Sequence, residues 1–218
     1  MNPKKIAVIL AGCGVYDGSE IHEAVATLLA IEKSGVNYQI FAPDINQFHV
    51  IDHVTGEVSA ETRNVFVESA RIARGNIKKL RTFEAKEFDA IVFPGGFGVA
   101  KNLCTYAIDG PDNLVNPLVE KAIRDSIELK KPIGALCISP VLLATVLGNI
   151  TVTIGSNKDT IDAINSLDAK HITTKGSEVI VDTINKIVST PCYMLDAPIS
   201  VIFEGAANVI NKLIELMD

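Results

Sequence analysis

The four cysteines of this 218-residue chain are its candidate nucleophiles. Their wide, irregular spacing and the lack of any CxxC pair predict reduced free thiols and not a disulfide framework. One of them stands at a junction, between the apolar run 132–136 and the helical run 141–147. A thiol at such a sharp turn projects above a sheet, and the positive end of the helix is expected to lower its pKa. The competing interpretation is a small buried apolar residue at a tight corner. The four are Cys13, Cys104, Cys137 and Cys192, and Cys137 is the one at the junction.

A second junction is the run Phe93-Pro-Gly-Gly-Phe-Gly98, which follows another buried apolar segment. Glycines at this place allow the backbone to approach a ligand closely and to aim N–H groups at a developing negative charge. The run lacks the G-x-G-x-x-G spacing of a dinucleotide site. A plain flexible turn is the alternative.

The third junction carries carboxylates, because Glu20 and Glu23 stand at the start of the first predicted helix. They are about one turn apart, so one can point inward over the strand ends while the other stays solvated. Helix capping and dipole stabilisation would equally explain either residue alone. His22-Glu23 lacks the second histidine of H-E-x-x-H, and the pair His49 and His53 lies in a strand-like, Gly-terminated context. No metal site is therefore expected.

The elements that must position these residues alternate between apolar strands and amphipathic helices. This alternation predicts an α/β, three-layer sandwich with a mostly parallel sheet and helices on both faces, in a single domain over 1–218. In such sheets ligands bind beyond the carboxyl ends of the strands, where all three junctions fall. The predicted strands are 6–11, 38–42, 89–93, 132–136 and 150–154, with hairpins over 50–58 and 178–190. The predicted helices are 19–33, 61–74, 113–130, 141–147 and 197–217.

Composition and charge exclude two classes of binding partner, nucleic acids and membranes. With 20 Lys and Arg against 26 Asp and Glu, the net charge of −6 offers no basic stripe for a phosphate backbone, so nucleic-acid binding is not expected. The apolar stretches are shorter than the roughly 18 residues of a bilayer span, so no membrane partner is expected either. Without a recognisable signal peptide, the sequence predicts a cytoplasmic protein that acts on a small molecule.

The three junctions, in this chain order, resemble the class I glutamine amidotransferase-like superfamily, in its ThiJ/PfpI branch of protein deglycases and glutathione-independent glyoxalases. The resemblance covers essentially the whole chain and implies a flavodoxin-like sheet. More narrowly, five motifs are similar to the isoprenoid-biosynthesis glyoxalases of the ElbB type. They lie at 12–23, 53–57, 61–64, 94–103 and 190–195, and the first, Gly12-Cys-Gly-Val-Tyr-Asp-Gly-Ser-Glu-Ile-His-Glu23, is the most specific.

The resemblance implies a set of roles at the three junctions. Cys137 would be the nucleophile and Glu23 the inward carboxylate, since the distance from Glu23 to Gly35 fits the first helix of that branch. The backbone N–H groups of Gly96 and Ile138 would form the oxyanion hole.

The resemblance also implies an activity, that of a glyoxalase III-type lyase without metal, cofactor or glutathione. Glyoxal or methylglyoxal would become the 2-hydroxy acid through a cysteine hemithioacetal. Gly95 and Cys13 would line the pocket, and members of the branch are commonly homodimers. Redox sensing or a stress-response role through the same thiol, and protein deglycation, are the alternatives. Amidotransfer is not expected, because His171-Ile-Thr173 stands in place of the His-x-Glu pair it needs. Peptidase activity is not expected either, because Ile138 stands where the protease-like members have a histidine directly after the nucleophile.

Overall fold

A computed structural model describes residues 4–217 of the chain. Nine strands and seven α-helices occur in this part. The strands are β1 Lys5–Ile9, β2 Asn37–Ala42, β3 Ile77–Lys79, β4 Ala90–Phe93, β5 Ile133–Leu136, β6 Thr151–Val152, β7 Lys170–His171, β8 Ile180–Asp182 and β9 Ile187–Thr190. The helices are α1 Ile21–Lys33, α2 Val65–Ile72, α3 Tyr106–Asp109, α4 Pro117–Glu128, α5 Ser139–Leu147, α6 Lys158–Ser166 and α7 Ile199–Leu216.

Seven strands form the central sheet, in the order β3-β2-β1-β4-β5-β9-β8. Every neighbouring pair is parallel except β8 and β9, which form the antiparallel hairpin predicted over 178–190. The inner strands β1, β4, β5 and β9 are buried on both faces, and alternate residues of β1 join two separate cores. Helices α1 and α7 cover one face, and α4, α5 and α6 cover the other. The predicted α/β sandwich with a mostly parallel sheet is confirmed.

The segment 150–154 differs from the prediction, because it does not join the central sheet. Its β6 pairs with β7 in a small second sheet. The side-chain oxygen of Ser189 on β9 accepts the N–H of Thr153 at 2.9 Å. This hydrogen bond keeps the segment beside the central sheet without extending that sheet. The segments of β3, β7 and α3 have only two to four residues and are too short to show a period, and α6 was not predicted.

Helix starts also differ from the predictions. Helix α4 begins at Pro117 and not at 113, because the missing N–H of proline is harmless in a first turn. Asn116 caps it by accepting the N–H of Leu118 at 3.0 Å. The predicted hairpin over 50–58 is reduced to one antiparallel bridge, between Ile51 and Val58.

The sheet order brings the predicted junctions together. Strands β1, β4, β5 and β9 are consecutive parallel neighbours, so the loops at their carboxyl ends meet at one edge of the sheet. No helix within residues 4–217 combines the length and the apolar character of a membrane span.

Candidate active site

Cys137 occupies a strained turn between β5 and α5. Its φ of 59° lies in the left-handed region, which residues with a side chain rarely adopt and which functional sites often contain. The N–H of Cys137 donates to Thr190 O at 2.9 Å, and the hydroxyl of Ser139 donates to Pro94 O at 3.0 Å. These contacts tie the turn to β9 on one side and to the glycine loop on the other, so the thiol is held above the sheet edge.

Glu23 lies against this thiol, although it belongs to α1. Its carboxyl group is completely buried and shares a hydrogen bond with Cys137. One carboxyl oxygen accepts the N–H of Gly95 at 2.9 Å, and the other accepts the N–H of Tyr193 at 3.2 Å. Glu20 instead caps α1, since its carboxylate accepts the N–H of Glu23 at 2.7 Å. The structure thus places Glu23, and not Glu20, beside the thiol.

Burial dominates the electrostatics of this pair. Burial, and then the charge of Glu20, raise the pKa of Glu23 from 4.5 to about 8. Burial and the negative charge of Glu23 raise the pKa of the Cys137 thiol well above its ordinary value. The N–H groups of Gly96 and Ile138 act in the opposite direction, but more weakly. The expectation that the helix end would lower the thiol pKa is therefore wrong, because desolvation of the thiolate outweighs it.

The glycine loop, residues 95–98, lies so close to Cys137 and Glu23 that a side chain on its first glycine would not fit. A Cβ on Gly95 would collide with the Cβ of Cys137 and with the carboxyl of Glu23. Gly96 has a φ of 103°, and a Cβ there would collide with the backbone of the loop that precedes α1. The N–H groups of Gly96 and Ile138 both hydrogen-bond the sulfur of Cys137. They are therefore placed to hold an oxyanion on a carbon attached to that sulfur.

A cavity of about 350 Å³ opens above Cys137. Its walls come from the loops at the ends of four strands and, on the outer side, from α3 and α6. Apolar side chains predominate, and no Asp, Glu, Lys, Arg or His lines it. The lining residues are Val15, Gly96, Phe97, Ala100, Tyr106, Ala107, Cys137, Ile138, Asn157, Thr160, Tyr193 and Met194.

Two residues predicted to line the pocket lie elsewhere. Cys13 is outside the walls of this cavity, and the charges acting on its thiol are those of Glu68, Arg71 and Asp17. Burial is the main cause of its raised pKa. Gly95 supports Glu23 from behind through its N–H and does not face the cavity.

Tyr193, which was not predicted as a site residue, contacts Glu23 directly. Its N–H donates to the carboxyl group, and its hydroxyl is hydrogen-bonded to Nδ1 of His22 at 2.8 Å. The neighbouring Cys192 is buried in a left-handed conformation with a φ of 43°. The signal was available, because Thr190-Pro-Cys-Tyr193 follows a buried strand as the other three junctions do.

Metal-binding side chains are not clustered here. Within residues 4–217 no group of three His, Cys, Asp or Glu side chains could hold a metal ion. His171 lies in β7 of the second sheet, where its Nε2 accepts the N–H of Ile154 at 3.1 Å.

Three comparisons identify what the chain resembles. No protein-family model matches it. The human "glutamine amidotransferase-like class 1 domain-containing protein 3, mitochondrial" is 46% identical over 222 residues, covering 97% of this chain and 83% of that protein. Among solved structures, an isoprenoid biosynthesis protein with an amidotransferase-like domain from Ehrlichia chaffeensis has a TM-score of 0.92 and 38% identity. It covers 98% of this chain and 99% of its own.

A more distant structure shares the fold alone. Glyoxalase III from Candida albicans has a TM-score of 0.64 and 12% identity, over 99% of this chain and 98% of its own.

The predicted cytoplasmic location is wrong by these comparisons. The human relative and its rat and zebrafish counterparts are all named as mitochondrial proteins. The prediction rested on the lack of a recognisable secretory signal peptide, which does not distinguish the cytoplasm from other reducing compartments.

Proposed function

This chain belongs to the family of glutamine amidotransferase-like class 1 domain proteins, and we propose that it converts small 2-oxoaldehydes, such as glyoxal or methylglyoxal, to 2-hydroxy acids without glutathione. One observation carries the proposal. A buried carboxyl group with a pKa near 8 lies in hydrogen-bond contact with a cavity-lining thiol, which two backbone N–H groups also approach. A base with a pKa close to the working pH is the most effective proton shuttle.

The first step is addition of the thiol to the aldehyde. The sulfur of Cys137 forms a bond to the aldehyde carbon, the π electrons of the carbonyl move to its oxygen, and the carboxylate of Glu23 takes the thiol proton. The N–H groups of Gly96 and Ile138 hold the oxyanion. Return of the proton from Glu23 to that oxygen gives a neutral hemithioacetal and restores the carboxylate.

The second step moves a proton between the two carbons of the substrate. Glu23 removes the proton from the carbon attached to sulfur, giving an enediolate, and returns it to the adjacent carbon. The hydroxyl proton on the first carbon passes to the oxygen on the second carbon. The carbon on sulfur is oxidised and its neighbour is reduced, so no external oxidant or reductant is required. The product is the thioester of a 2-hydroxy acid.

Water completes the reaction. It attacks the thioester carbon, the bond to the sulfur of Cys137 breaks, and the thiol takes up a proton. Glycolate leaves when the substrate is glyoxal, and lactate leaves when it is methylglyoxal. The balance is one 2-oxoaldehyde and one water for one hydroxy acid.

Redox sensing through the same thiol is less favoured by this geometry. Peroxides attack thiolates, and sensing cysteines have a low pKa and an accessible sulfur. Cys137 is only 7% exposed, and burial raises its pKa. A Cys137 thiol that stays protonated until Glu23 takes its proton fits catalysis better.

The test is steady-state formation of glycolate from glyoxal. Wild type is expected to turn over faster than about 1 per second, within the ordinary enzyme range, and Cys137→Ala is expected to be inactive. Cys13→Ala is the matched control, because it removes a thiol outside the cavity. Full turnover by Cys137→Ala would refute the proposal.

A further inference from the structure

The cavity above Cys137 is larger than the smallest 2-oxoaldehydes require. Its volume of about 350 Å³ lies within the range of pockets that bind ligands of drug size, roughly 300–1,000 Å³. A water molecule occupies about 30 Å³ of liquid, so glyoxal, with four non-hydrogen atoms, would fill on the order of a third of this space. The remaining volume extends away from the thiol toward α3 and α6.

The side chains that line the cavity indicate what kind of chemical group would bind in the remaining volume. Val15, Phe97, Ala100, Ile138 and Met194 supply apolar surface. An apolar group of a ligand would bind this surface most favourably, because the contact removes water from the apolar surface of both the wall and the ligand.

The polar side chains of the outer wall are already engaged with each other. The hydroxyl of Thr160 donates to the side-chain oxygen of Asn157 at 2.9 Å, and the hydroxyl of Tyr106 is hydrogen-bonded to Thr160. Asn157 also accepts the N–H of Thr160, at 3.0 Å, as the cap of α6. These polar atoms already have hydrogen-bond partners within the wall, so a ligand need not supply them.

Charged substrates do not fit these walls. No ionisable acid or base lines the cavity apart from Cys137 and the hydroxyls of Tyr106 and Tyr193. A phosphate or carboxylate group would lose its hydration without gaining a cationic partner, which is strongly unfavourable.

We propose, on the basis of the proposed function, that the substrate of this site is a neutral 2-oxoaldehyde bearing an apolar substituent of about the size of a phenyl ring or a short alkyl chain. The aldehyde carbon lies at Cys137, and the substituent packs against Phe97, Ala100 and Met194. Phenylglyoxal is the probe of this class. It would follow the same steps, taking up one water to give mandelate.

The test compares kcat/KM for phenylglyoxal and methylglyoxal. Each buried methylene contributes about fourfold in affinity, so phenylglyoxal is expected to be at least tenfold better. Ala107→Phe should narrow the outer cavity and lower kcat/KM for phenylglyoxal at least tenfold more than that for glyoxal. The control is Ile108→Phe, on the same short helix, at a half-exposed position that does not line the cavity. It should change neither substrate by more than threefold.

The outcomes separate this inference from the proposed function. Cys137-dependent turnover of glyoxal with no preference for phenylglyoxal would overturn the inference alone. An Ala107→Phe variant that lowers kcat/KM for both substrates equally would overturn it as well. If wild type consumed none of these aldehydes, the proposed function would fail and the inference with it.

Discussion

Replacing Glu23 by glutamine should change how the stability of the protein depends on pH. The pKa of Glu23 is about 8 in the folded protein against 4.5 ordinarily, so the folded state holds this proton more tightly than the unfolded chain. Stability is therefore lost as the pH rises from 4.5 to about 8, because the carboxyl ionises in the unfolded chain but stays protonated in the folded protein. Above about pH 8 it ionises in both states. A difference of about 3.5 pKa units at about 1.4 kcal/mol each amounts to about 5 kcal/mol. Domains have a total stability of only about 5–15 kcal/mol, so the effect is large.

The assay is chemical unfolding of wild type and Glu23→Gln at several pH values between 5 and 9, with the free energy of unfolding extrapolated to water. Wild type should lose about 4 kcal/mol of stability relative to the variant across this range, because about 1 kcal/mol of the total is already lost below pH 5. Glutamine keeps the shape of the side chain, but its NH₂ group cannot accept one of the two backbone N–H groups, which costs about 1–3 kcal/mol at every pH. The pH-dependent difference between the two proteins, and not its absolute value, is therefore the quantity to compare.

The control is Glu32→Gln, which removes a carboxylate from an exposed position on the same helix. Its unfolding free energy should follow that of wild type across the pH range. If Glu23→Gln also ran parallel to wild type, Glu23 would not be a protonated, desolvated carboxyl at neutral pH. The account of the proton shuttle would then lose its physical basis.

Further predictions concern the same site and its outer wall. Below pH 8, kcat/KM of wild type for glyoxal should rise about tenfold per pH unit as Glu23 loses its proton and should level off above about 8, whereas Glu23→Gln should lack this rise. Gly95→Ala should lower kcat/KM at least 100-fold in the same assay, because its Cβ would displace both Cys137 and Glu23; near-wild-type activity would contradict this crowding. Asn157→Ala should remove the cap of α6 and lower the free energy of unfolding by about 1 kcal/mol in urea titrations, while an unchanged value would show that the cap contributes nothing.

Much of the inner site could be anticipated from the sequence because it depends on strand ends. A parallel sheet places the carboxyl ends of neighbouring strands at one edge, so a cysteine, a glycine run and a glutamate that each follow a strand must converge. The choice of Glu23 over Glu20 came from family resemblance. The structure adds the reason, since Glu20 is occupied as the cap of α1.

The outer wall could not be anticipated. Helix α3 has only four residues, too few to show a helical period, and α6 has only nine, with apolar side chains at three of them, so neither was predicted. The direction in which the Cys137 pKa shifts could not be predicted either, because two backbone N–H groups lower this pKa while burial and the charge of Glu23 raise it.

A double-mutant cycle at Cys137 and Glu23 tests the central claim most directly. In the proposed mechanism the two side chains act as one unit, in which neither the thiol nor the carboxyl group works without the other. Cys137→Ala and Glu23→Gln should each lower kcat/KM for glyoxal at least 1,000-fold, and the double variant should be no worse than either single one, as for residues that act together. If the two losses simply multiplied in the double variant, the thiol and the carboxyl group would act independently, and the account would be contradicted.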